Sequence, residues 1–77
     1  MDAPVCLQDG LYHMEERLET RYGEHLEYVG VLQNGSMFRL YVGKEGTFTV
    51  IIVLPNNLAC MFLAGDGWTK GKKGRDS

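Results

Sequence analysis

Between Gly46 and Trp68, two runs rich in Val, Ile, Thr and aromatic residues flank Pro55-Asn56-Asn57. β-Branched and aromatic side chains suit pleated backbone, and Pro and Asn reverse a chain between strands, so this stretch predicts a β-hairpin. The simplest connection is a type I turn with Asn57 in the left-handed position of a one-residue bulge, which pairs Leu54 with Leu58 and sets Cys60 opposite Ile52. In that register Leu58, Cys60, Phe62 and Ala64 share a face with Phe48, Val50, Ile52 and Leu54. The rest of the chain has to cover what this hairpin exposes.

Upstream, residues 1 to 8 read as an extended arm, with Pro4 disfavouring helix and Val5 and Leu7 free to pack. A helix is predicted from Asp9 to Tyr22, with Asp9 as N-cap and Leu11, Met14, Leu18 and Tyr22 on one face. Gly23 is a natural stop. The opposite face, with Glu15, Glu16, Glu19 and Thr20, reads as solvated. His25 to Gln33 then alternates as a strand, and Asn34-Gly35 predicts a two-residue type I′ turn. A second strand follows from Met37 to Val42 and, after Gly43-Lys44-Glu45-Gly46, a third from Thr47 to Leu54. The expected architecture is α+β: an N-terminal arm and one helix packed on a four-stranded antiparallel meander sheet. Residues 1–68 form the domain, and 69–77 form a flexible basic tail.

Both faces of the hairpin are apolar, and this shapes the functional reading. The helix is expected over Phe48, Val50, Ile52 and Leu54. The other face then carries Ile51, Val53, Ala59, Met61 and Leu63, with Val29 and Val31 nearby. One helix covers one side of such a sheet, and a contiguous apolar patch on the second side marks an interface. Two occupants fit: another copy or protein partner, or the arm and Trp68 folding back.

A chain of 77 residues builds a marginal core, so extra support is expected. Cys6 and Cys60 are the only cysteines. They suit a structural disulfide, with two buried thiols as the alternative, and they lack the Cys-x-x-Cys spacing of a redox pair. A zinc site from Cys6, Cys60, His13 and His25 is disfavoured because no two ligands stand at the short intervals that pre-position a metal. No cofactor is implied. Catalysis is not indicated either: Ser36 lies in a turn, His13 and His25 have no orienting partner, and Gly65-Asp66-Gly67 lacks the Lys-Ser/Thr of a phosphate loop.

Charge separates body from tail. Residues 1–68 carry four basic and nine acidic side chains, whereas 69–77 carry Lys70, Lys72, Lys73 and Arg75 against Asp76. An acidic body argues against a nucleic-acid partner and leaves only the tail for phosphate contacts. The longest apolar run, Val50 to Leu54, is far short of the roughly 18 residues of a spanning helix. The N-terminus has no signal-peptide pattern, so either the leader has been removed or there is none.

Tyr22-Gly23-Glu24, Gly46-Thr47-Phe48-Thr49, the Pro55 turn, Cys60, Gly65 and Trp68 together resemble a group of small alphaproteobacterial proteins, often exported, that share no assigned activity. Similar proteins have Gly-Thr-Trp-Thr, a Pro-Asp-Gly turn, a cysteine, a glycine and a tryptophan in this order. Phe48 replaces the first Trp here, and Asn56-Asn57 replaces Asp-Gly. The group's early cysteine matches Cys6, so the resemblance implies a Cys6–Cys60 bridge. Function is therefore expected to be non-enzymatic: a small interaction or structural module using an apolar sheet face for self-association or partner binding. Size and interface character also suit a bacteriophage virion or decoration component, and the resemblance suits an exported protein.

Overall fold

A computed structural model describes residues 5–69. Its elements are β1 (Val5–Gln8), α1 (Leu11–Tyr22), β2 (His25–Val31), β3 (Met37–Val42), β4 (Phe48–Val53) and β5 (Leu58–Gly65). The basic residues Lys70, Lys72, Lys73 and Arg75 lie outside the described residues. The fold is α+β with one helix on an antiparallel sheet, but the sheet has five strands in the order β1-β5-β4-β3-β2. The additional strand is the arm. Val5 to Gln8 pair with Met61 to Leu58, Asp9 N–H donates to the Asn57 carbonyl at 2.9 Å, and the Gln8 amide donates to the Asn56 carbonyl at 2.6 Å. Four residues give too short a run for alternation to be read, and their partners Met61 to Leu58 are 50 to 56 positions away.

β1 and β2 therefore form the two edges of the sheet, and α1 crosses one face to connect them. The helix begins two residues later than the sequence suggests. Asp9 is not the cap but the pivot out of β1, at φ 54°, and Gly10 is the N-cap without a side-chain hydrogen bond. At the other end Gly23 takes φ 64°, and its N–H reaches the Glu19 carbonyl while that of Glu24 reaches Leu18. This is the left-handed cap that a Gly after the last helical residue provides.

The three hairpins share one design. Leu32/Ser36, Gly43/Thr47 and Leu54/Leu58 close three-residue loops, with the third loop residue, Gly35, Gly46 or Asn57, at positive φ. This is the type I turn plus left-handed residue expected at Asn57. Asn34-Gly35 is no type I′ pair. Only Gly35 is left-handed, and the Asn34 side chain instead accepts from Ser36 N–H at 2.9 Å. An Asx turn of this kind competes directly with the two-residue reversal.

Register fixes the faces. Cys60 stands opposite Ile52, as the turn requires, but a bulge between Val50 and Ile51 leaves Phe62 as the extra residue, so that Leu63 faces Val50 and Met61 faces Ile51. A second irregularity lies between Leu26 and Tyr28. The helix packs on the face expected to be free. Its buried residues Met14 and Leu18 join Tyr41, Ile51 and Ala59 in the core, with Leu11, Val53 and Met61 against it. The assignment of Phe48, Val50, Ile52 and Leu54 to the covered face is thus corrected. Neither face is polar enough for patterning to decide. What decides is the small side chain of Ala59, fully buried where the helix approaches, and a polar anchor on the same face.

Candidate functional site

That anchor is built from Glu15 on α1 and Arg39 and Tyr41 on β3. Glu15 Oε2 accepts from Arg39 Nη2 at 2.8 Å and from the Tyr41 hydroxyl at 2.5 Å. The Tyr41 oxygen in turn accepts from Arg39 Nε at 2.8 Å. Residues 39 and 41 alternate onto the helix side, so one carboxylate ties the helix to the sheet. Glu15 is therefore not part of a solvated face, unlike Glu16 and Glu19, which are exposed.

Burial lowers the Arg39 pKa, yet hydrogen bonds to Tyr41 and Glu15 outweigh it and the group is pushed up. Tyr41 is raised well above the ordinary phenol value, first by burial and then by donating to Glu15, with Arg39 opposing. A phenol raised in the folded state stays protonated while the unfolded chain ionises. Stability is then unaffected below the ordinary Tyr pKa of about 10 and falls as pH rises above it. Alkaline unfolding should accordingly steepen above about pH 10, and Tyr41→Phe should flatten it in a urea-midpoint series. Glu15→Gln should cost about 1–2 kcal/mol, discounted for partial exposure. A small recess with Glu19, Glu24, His25 and Leu26 adjoins Glu15 and Tyr41, and the trio ties the helix to the sheet.

Cys6 and Cys60 are cross-strand partners with Cα atoms 4.0 Å apart, and their sulfurs lie at disulfide distance. Directly opposed residues in the close, non-hydrogen-bonded type of pair are the ones brought near enough to bridge. The pair joins the edge strand to β5 on the face away from the helix. No cluster of three or more metal-binding side chains occurs among the described residues.

Of the residues anticipated at an interface, Ile51 and Ala59 are fully buried and Val53 and Met61 partly buried beneath α1. Leu63 alone lies on the opposite face, brought there by the bulge at Phe62, and is 55% exposed. By strand register that opposite face holds His25, Tyr28, Gly30, Phe38, Leu40, Val42, Phe48, Val50, Ile52, Cys60, Leu63 and Gly65, with Cys6 and Gln8 from β1; Leu40, Val50 and Cys60 are buried within the chain and the others are half-buried or exposed. Trp68 covers one corner, its ring 6.0 Å from that of Phe48 and its backbone N–H donating to the Gly46 carbonyl. The sequence signal for this patch was the double-sided hydrophobicity of β4 and β5. The signal for its exact composition, two bulges, is not written in residue type.

The chain matches no family model, and no curated protein or solved structure matches it. No helix among the described residues is long and apolar enough to cross a membrane.

Proposed function

We propose that this protein is a non-enzymatic interaction module that self-associates through the helix-free face of its sheet. One observation carries the reading. Along the five strands, the positions that register assigns to this face include no Asp, Glu, Lys or Arg, with Glu27 standing apart as the extra residue of the β2 bulge. Acidic bodies repel one another, and a charge-free surface is where two copies meet at least electrostatic cost. Leu40, Val50 and Cys60 are already buried within one chain, so a second copy would close on Tyr28, Phe38, Val42, Phe48, Ile52 and Leu63. Sheets packed face to face at about −30° provide the geometry.

The sheet edges are poorer candidates. β1 offers four residues, and β2 carries a bulge, both devices that blunt edge pairing. The cysteine pair is compatible with an exported location, since disulfides persist in oxidising compartments.

The test is the oligomeric state by sedimentation at micromolar to submillimolar concentration. The wild type should dimerise. Leu63→Glu buries an unpaired carboxylate twice in a two-fold interface, and should weaken association by roughly a hundredfold or more while leaving the monomer folded. A wild type that stays monomeric throughout, or a Leu63→Glu dimer of equal affinity, sinks the proposal.

A further inference from the structure

The helix leaves part of its own side of the sheet uncovered. Between α1 and the β1–β5 edge lies a groove of about 560 Å³, inside the roughly 300–1,000 Å³ range of small-molecule sites. Its floor is apolar, with Val5 and Leu7 from β1, Met61 and Ala64 from β5, and Met14 and Leu18 from the helix. Its rim is not. His13, Arg17 and Arg21 line it from one edge of α1, four residues apart and therefore stacked along the helix.

Placing like charges at this spacing is unfavourable unless something opposite meets them. Arg17 has no carboxylate three or four positions away and Arg21 has only Glu24, just past the helix end; the one ion pair among the described residues joins Arg39 to Glu15 on the other flank of the helix. The helix is thus divided, with its acidic edge tied down at β3 by Glu15 and its basic edge standing over the apolar trough.

A single acid faces the groove, Glu24, which is 3% exposed with Oε1 lacking a hydrogen-bond partner. Thr47 Oγ1, also a groove residue, is likewise buried and unpartnered. These orphan atoms lie at the end of the groove beyond the helix C-terminus. They supply acceptors for a donor group and leave the two arginines, permanently charged, as the feature that sets the sign of the ligand along the rim.

We infer that this groove binds a long-chain acyl carboxylate, with the chain in the trough and the carboxylate on Arg17 and Arg21. Arginine is suited to the second role because its planar fork matches a carboxylate bidentately. The inference is independent of self-association, which uses the opposite face of the sheet.

The experiment is titration of the full-length protein with monomeric palmitate by calorimetry, alongside hexadecanol and hexadecylamine. Palmitate should bind at one site per chain, at least tenfold tighter than the alcohol and the amine. Arg17→Glu/Arg21→Glu alters two exposed side chains; it should lower palmitate affinity tenfold or more with an unchanged melting temperature. Ala64→Phe, filling the trough from an exposed position, should abolish binding. Leu63→Glu, on the other face, should leave it unaltered. No palmitate binding, equal binding by the charge-reversed variant, an amine that binds as tightly as the acid, or loss of binding in Leu63→Glu would each overturn the inference.

Discussion

Reduction of the Cys6–Cys60 pair is expected to lower the unfolding free energy by about 4 kcal/mol, the value the chain-entropy account gives for a closed loop of this size. The pair spans 54 positions, nearly the whole folded chain, so the cross-link removes a large share of the unfolded chain's freedom. Domains have stabilities of roughly 0.05–0.15 kcal/mol per residue, or about 4–12 kcal/mol at this length. The bridge is then a major fraction of the total. Two terms need separating. Cys60 is 4% exposed, so Cys60→Ala adds a packing loss to the lost cross-link, whereas reduction keeps both sulfurs and removes only the bond. Urea midpoints with and without reductant should differ by most of the full effect, and Cys6→Ala/Cys60→Ala should fall slightly further. Local behaviour should change as well. β1 pairs with β5 alone, and all four of its residues are exposed, so in the reduced protein the β1 amides that β5 pairs should exchange far faster than those of β4. Equal midpoints in the two redox states would show that the pair is not bridged in solution.

How much of this molecule could be read from its residues depends on the range of the interaction involved. Gly23 at the helix end, Asn57 in its bulge and the Cys60–Ile52 pairing follow from local chemistry, and all three appear where backbone preference places them. β1 does not follow, because a four-residue strand owes its existence to β5 and to hydrogen bonds from Gln8 and Asp9 to the distant Asn56-Asn57 turn. The Glu15–Arg39–Tyr41 tie was equally hidden. Glu15 sits among other acids on a helix edge, and nothing in its neighbours distinguishes it from Glu16; only the position of β3 does. The groove likewise arises from how far α1 sits from the β1 edge, although His13, Arg17 and Arg21 at intervals of four were visible in the chain.

Ile51 and Ile52 are the matched pair that reports which face of β4 the helix takes. They are adjacent, identical in chemistry and opposite in direction, so composition cannot rank them. Ile51 is fully buried against Met14, Leu18, Tyr41 and Ala59. Ile51→Ala should therefore cost about 2–5 kcal/mol, as for other buried large-to-small changes, enough to unfold much of a domain this small. Ile51→Glu should not fold at all, because the carboxylate would have no partner under the helix. Ile52 is only partly buried and is flanked across the sheet by Phe38 and Cys60. In the monomer Ile52→Ala should cost about 1 kcal/mol, near the centre of single-substitution effects. Its cost should then rise with protein concentration if the face closes against a second copy, since association stabilises the folded state by mass action. Denaturation of both variants at low and high concentration gives four values. A cost for Ile51→Ala that exceeds that of Ile52→Ala and does not vary with concentration places the helix over Ile51. A concentration-dependent cost confined to Ile52→Ala places the partner on the other side. The reverse order would mean that α1 packs over the face of Val50 and Ile52, and the self-association surface would move with it.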